Sequence, residues 1–225
     1  MSYWNQTSFQ GLAAIASYLA SQPALHEFAQ YCLYREKGLR KQALMALDRF
    51  IMEVTDWSFD ERRELVDWLL RTEYENPSIH QLIAHPLREQ VILPTLEEWI
   101  QRYPHDPVPL RWRGMIVHDQ ASLEKAVALD PHEVLARVVL FGWLVWNIEY
   151  ATHHLPDTFL GDPADCIRWA EQARAYLTEL PTEEKQRLEE ELQEAMAPVH
   201  DWLAFLEEGG TDFAAWCKQR GRNYV

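Results

Sequence analysis

Glu149 and His153 stand four residues apart, and His154 and Asp157 follow directly. On a helix that interval sets a carboxylate and an imidazole on one face, the arrangement by which helices present ligands to a divalent metal. Glu149, His153, His154 and Asp157 are therefore the metal-binding candidates. The chain has no Glu-x-x-His and no His-Glu-x-x-His, the sets from which helix-borne metal centres are built. The plainer reading is a hydrogen-bonded helix end. Other chemistry is sparse. His80, His85, His105 and His118 fall near expected helix ends or turns, where imidazole caps carbonyls or faces solvent. No Gly-x-Ser-x-Gly elbow is present, and Cys32, Cys166 and Cys217 each sit on an apolar stripe, which argues against nucleophilic hydrolysis. Gly209 and Gly210 are the only adjacent glycines and no Lys-Ser/Thr follows them, so no phosphate-cradling loop and no cofactor is expected.

The composition bounds the class of protein. Apolar residues make up 48% of the 225 and charged residues 25%, with eight glycines, which describes a folding chain and not a disordered or fibrous one. Three cysteines, odd in number and without a Cys-x-x-Cys, point to free thiols in a reducing compartment. No Lys or Arg precedes the apolar stretch 12–20, as a secretory signal requires. The longest apolar run, 134–148, contains Arg137 and Asn147 and is short for a bilayer span. A cytoplasmic location without membrane contact is expected. The net charge of −14 is uneven: residues 1–112 carry 15 acidic and 11 basic side chains, a balance of −4, while residues 113–225 carry 20 and 10, a balance of −10. Such a field repels nucleic acid and favours a basic protein partner.

The elements that must position these residues are helices, because apolar residues recur at helical spacing and sustained alternation is absent. Phe9, Leu12, Ile15, Ala16 and Leu19 form the first stripe. Phe28, Cys32 and Leu33 form the second, on a helix that runs to Gly38. Ala43, Leu44, Leu47, Phe50, Ile51 and Val54 form the third. Ser58 with Glu61 predicts a capping box that opens a fourth helix, with Leu65, Val66 and Leu69 inward and a stop at Asn76-Pro77. Pro94 interrupts the helical pattern of 87–103, as a kink or a new start. A long helix is expected from Pro131 to about His154, with Leu135, Val138, Gly142, Val145 and Glu149 along its seam. Being apolar on nearly every side, it is predicted as the central, most buried helix. Asp162 and Pro163 start the next, over Ile167, Ala170, Ala173 and Leu177. The last long helix carries Leu188, Leu192, Ala195, Val199, Leu203 and Leu206 past Pro198 as a kinked continuation. Gly209 and Gly210 end it, Thr211 caps a short terminal helix with Phe213, Trp216 and Cys217, and the basic tail Lys218, Arg220 and Arg222 is placed to fold back on acidic neighbours. The expectation is one all-α domain of about ten helices over 1–225, subdivided if at all at 103/104.

One stretch carries a resemblance. Leu110, Trp112, Gly114 and Ile116, a polar turn, then Ser122 to Pro131 resemble a degenerate tetratricopeptide hairpin. In that family a small residue in the first helix lets the second pack closely and a Pro ends the hairpin. Gly114 and Gly142 match the first role, and Pro104, Pro131 and Pro181 the second. The Pro spacings, 27 and 50 residues, differ from the family period of about 34. The resemblance covers 95–181 and implies an irregular stack of antiparallel helical hairpins, not a regular superhelix.

Hairpins of that kind bind proteins, so the expected function is a protein-interaction module and not an enzyme. Ten tryptophans spread from Trp4 to Trp216 supply packing groups, and the ring faces proposed for recognition are those of Trp112, Trp143 and Trp146. Glu183, Glu184, Glu190 and Glu191, with Glu189 and Glu194, form an acidic strip opposite the apolar stripe of the last long helix, suited to a basic partner. Size and composition are similar to those of small acidic immunity proteins that neutralise basic toxins or nucleases, which is the narrower alternative. A metal-binding enzyme built on Glu149 and His153 is the alternative of another class.

Overall fold

Ser58 Oγ accepts a hydrogen bond from the Glu61 N–H, and Glu61 Oε2 accepts one from the Ser58 N–H at 2.8 Å. Two of the backbone donors left open by a helix start are thereby satisfied, and the fourth helix begins at the next residue. The computed structural model describes residues 6–79, 81–222 and 224, with side chains from residue 10 onward. Trp4, Phe9 and His80 lie outside the residues so described. The protein is all-α, and no strand occurs among the described residues. The described chain falls into two compact units that divide at 112/113.

The first unit holds α1 (Gln6–Leu19), α2 (His26–Glu36), α3 (Arg40–Thr55), α4 (Phe59–Glu75), α5 (His85–Leu87) and α6 (Leu93–Arg102). α7 (Pro107–Val117) runs through the division. Pro23 starts a short 3₁₀ turn, Pro23–Leu25, before α2. Leu12, Ile15, Ala16 and Leu19 are buried as the first stripe requires. α2 packs against both α1 and α3, with Phe28 stacked near Tyr31 and tilted against Phe50. Gly38 follows α2 at φ +69°, and the Leu39 N–H reaches back to the Tyr34 carbonyl, so the expected left-handed stop is formed. Pro94 lies in the first turn of α6, and a π turn, Arg88–Ile92, joins α5 to it. There the Leu93 N–H bonds the Arg88 carbonyl five residues back. The widened turn makes room where the Pro ring would otherwise press on the preceding turn of backbone.

The second unit holds the end of α7, then α8 (Gln120–Leu129), α9 (Val134–Thr152), α10 (Pro163–Tyr176), α11 (Thr182–Glu207) and α12 (Phe213–Gln219). Its core joins Phe141, Val145 and Ile148 of α9, Cys166, Ala170 and Ala173 of α10, and Leu188, Leu192, Met196 and Val199 of α11. Asp162 caps α10 through the Ala164 N–H. α11 passes Pro198 as one helix, as expected, but its buried stripe then rotates: Phe205 is buried while Leu203 and Leu206 are exposed. Phe205 instead joins Leu155, Phe213, Trp216 and Cys217 in a small second core. The cap of α12 is Asp212, through the Ala215 N–H, and not Thr211. Arg220 pairs with Glu208 and Arg222 with Asp201, so the basic tail does fold onto acidic neighbours.

Gly114 and Gly142, which look equivalent in the sequence, are not. A Cβ on Gly114 would meet the Leu123 side chain at 2.6 Å and the Asp119 carbonyl oxygen at 3.0 Å, so α8 approaches α7 at this glycine. A Cβ on Gly142 would meet nothing within 4 Å, which removes the close-packing role assigned to it.

Candidate functional site

α9 has no polar face to turn outward. Its buried positions are Ala136, Arg137, Leu140, Phe141, Val145, Ile148 and Ala151, so of the expected seam of Leu135, Val138, Gly142, Val145 and Glu149 only Val145 is among them. α8, α10 and α11 pack against it and still leave part of its circumference uncovered, so it is not wholly buried. The expectation failed because a helix that is apolar all round carries no signal in its sequence for which side receives neighbours. The helix runs over Val134–Thr152, inside the expected 131–154. An 18-residue window of it has a mean hydropathy of 1.3, long and apolar enough to cross a membrane by length and composition alone, as the core helix of a soluble protein can also be. Arg137 within it is buried, its Nε donating to the Pro131 carbonyl at 2.7 Å and its Nη1 to the Tyr176 carbonyl at 3.2 Å.

The uncovered side carries rings. Val139, Trp143, Trp146 and Tyr150 follow one another at intervals of four, three and four residues, which aligns them along the helix. Trp146 is 60% exposed and Tyr150 53%. Their rings stack at 5.4 Å, and Tyr150 continues onto His153 at 4.9 Å and His153 onto His154 at 4.0 Å. Half-buried Trp143 lies parallel to His118 at 5.9 Å. His118 follows the last residue of α7 with φ +56°, and the Asp119 N–H bonds the Gly114 carbonyl, the same left-handed stop that Gly38 makes after α2. The turn that holds the imidazole over Trp143 thus places a side chain in a conformation that favours glycine. Arg113 and Ser122 both bond Asp119 beside it. The Ser122 hydroxyl, seconded by Arg113, holds the Asp119 carboxyl below the usual carboxylate range.

Trp112, the third expected ring, belongs elsewhere. It is 2% exposed, its indole N–H donates to Asp67 at 2.8 Å, and the Arg111 guanidinium lies over its ring at 4.3 Å. It is a packing residue with a satisfied N–H, not a surface anchor.

The metal candidates do not converge. α9 ends at Thr152, and His153 Nδ1 lies 2.6 Å from the Tyr150 carbonyl, which can only accept, so the ring proton sits there. His154 turns against His153, and the following turn, with the Asp157 N–H on the His154 carbonyl, does not return Asp157 to a common point with Glu149 and His153. Among the described residues no group of three or more His, Cys, Asp and Glu side chains is placed to hold an ion. The i, i+4 interval put two ligands on one face, but the helix end takes the others away from it.

The acidic strip lies on α11 as expected, and part of it is internally neutralised. Glu184 and Glu191 both pair with Arg187, at 2.7 and 3.3 Å, and Glu189 pairs with Arg174. The hydrogen bond from Arg187 holds the Glu184 carboxyl below its ordinary value. Glu190 accepts from Gln186, while Glu183, Glu190 and Glu194 have no ion pair among the described residues. Exposed pairs of this kind add little stability, so the charge of the strip matters more for approach than for folding.

No protein-family model, no curated protein and no solved structure matches the chain. Geometry and charge therefore carry the functional reading alone. The sequence shows His118 only as an imidazole near a helix end or turn, and it does not single out Tyr150, although the intervals between 139, 143, 146 and 150 are there to be read.

Proposed function

We propose that the protein is a helical protein-binding module that docks a basic protein on the uncovered side of α9, with the acidic strip of α11 assisting its approach. The observation that carries this reading is the row of exposed stacked rings on Trp146 and Tyr150. Large aromatic rings exposed side by side lose hydration at little entropic cost when a partner covers them, and Trp and Tyr dominate binding energy where they are so placed. The tetratricopeptide-like hairpin is consistent with such a role, and the close approach at Gly114 fits the family's small-residue position. The three unpaired carboxylates Glu183, Glu190 and Glu194 favour a positively charged partner, and inhibition of a basic toxin or nuclease is the narrower form of the same reading.

The test compares the protein with its Trp146→Ala/Tyr150→Ala variant. Both rings are exposed, so the fold should persist, which circular dichroism and the melting temperature check. A partner captured stoichiometrically from a nuclease-treated lysate of the native host should bind the variant about thirtyfold more weakly, the equivalent of about 2 kcal/mol for a pair of hot-spot rings. Its association rate with the unaltered protein should fall as salt rises. Equal binding by the variant, or an association rate indifferent to salt, would refute the reading.

A further inference from the structure

In the first unit, Glu61, Glu64, Leu65 and Trp68 occupy positions i, i+3, i+4 and i+7 of α4, one face of that helix. They form one wall of a cavity of about 360 Å³, which Tyr18 at the end of α1 and Trp57 after α3 help to close. The volume lies at the lower end of the range of small-ligand sites. Among the described lining residues three are aromatic, two are carboxylates and none is basic. Glu64 has neither a hydrogen bond nor an ion pair among the described residues. Glu61 is held in place by Ser58, whose hydroxyl and N–H keep its carboxyl below the usual range, so it is charged at neutral pH. Two apolar lining residues, Leu65 and Leu19, are buried.

We infer that this cavity binds an alkylated ammonium group, with Tyr18, Trp57 and Trp68 as aromatic walls and Glu61 and Glu64 as counter-charges. The electron-rich faces of aromatic rings attract cations, and the attraction is largest for cations that give up their water readily, as alkylated ammonium groups do. A strongly hydrated metal ion would need converging oxygen ligands, and no such set exists among the described residues. A neutral apolar ligand would leave Glu64 beside a filled site without a counter-ion. The group could arrive as a free small cation or as the side chain of a methylated lysine, and the two share this chemistry. The inference concerns the first unit and stands independently of the α9 surface.

Full-length protein should be titrated with tetramethylammonium chloride against a sodium chloride control of equal ionic strength, by calorimetry and by the indole N–H signals of Trp57 and Trp68. Those signals are assigned through the Trp57→Phe and Trp68→Phe variants. Saturable binding that shifts these two of the ten indoles is expected. Tyr18→Ala and Glu64→Gln, both at exposed positions and so compatible with folding, should each weaken it roughly tenfold. Choline should bind where its neutral isostere 3,3-dimethylbutanol does not. A trimethyllysine peptide at least tenfold tighter than tetramethylammonium identifies a protein side chain as the source, and equal affinities identify a free cation. Absence of saturation with every cation, equal binding of the neutral isostere, or indifference to both variants would overturn the inference.

Discussion

Replacing Gly114 and Gly142 by alanine should move stability in opposite directions. In a helix interior, Gly→Ala gains about 1 kcal/mol from backbone entropy alone. Gly142 has open space around its Cβ position, so Gly142→Ala should realise that gain in full. At Gly114 the new methyl would lie 2.6 Å from Leu123 Cγ, 2.9 Å from its Cδ2 and 3.0 Å from the Asp119 carbonyl oxygen. Leu123 is 0% exposed, so it can yield only against other packed groups, and the carbonyl belongs to the chain that starts α8. Overpacking of this kind costs roughly 1–3 kcal/mol. Gly114→Ala should therefore lose about 1 kcal/mol net, and the two variants should differ by about 2 kcal/mol. Urea unfolding followed by circular dichroism, with the slope unchanged, reads the difference directly. Thermal melts should separate by roughly 2–4 °C per kcal/mol for a chain of this size. If both variants shift the same way, or Gly114→Ala equals the unaltered protein, the close approach of α8 to Gly114 is not what stabilises the hairpin.

Burial raises the Glu73 carboxyl above its ordinary value of 4.5, with the Ile83 N–H opposing the shift. The folded state then binds its proton more tightly than the unfolded one, so this group adds stability as pH falls through the raised value and opposes folding while ionised at neutral pH. Glu73→Gln, whose amide oxygen can still accept from Ile83, should raise the melting temperature at pH 7, with the gain vanishing below about pH 4.5; a gain constant across that window would refute the assignment. All three thiols are buried, and desolvation pushes Cys32 up to about 12 and Cys166 up to about 11. Native protein at pH 8 should resist an aromatic disulfide reagent, while unfolded protein should release three equivalents; a rapidly labelled thiol in the native state would contradict that burial.

The helices and most of their ends were legible in the sequence because their causes are local. The reciprocal bonds of Ser58 and Glu61, the cap at Asp162, the left-handed stop at Gly38 and the Pro breaks each involve residues within one turn of each other. Tertiary packing alone decided which sides of those helices meet. α9 is apolar on nearly every side, so its sequence does not say that Phe141 goes inward while Trp146 and Tyr150 stay out; the positions of α10 and α11 settle that. The same holds past Pro198, where Phe205 replaces Leu203 and Leu206 on the buried side. Gly114 and Gly142 each sit inside a helical pattern, and only the passage of Leu123 beside Gly114 tells them apart. Trp112 looked like Trp146 until Asp67, 45 residues earlier, claimed its N–H. Glu61, Glu64, Leu65 and Trp68 announce one helical face in the sequence, but their cavity exists because Tyr18 and Trp57, brought from other elements, complete its walls. Periodicity and capping are written into short stretches of chain; a surface or a cavity is defined by residues far apart in sequence, and depends on which neighbours the folded chain supplies.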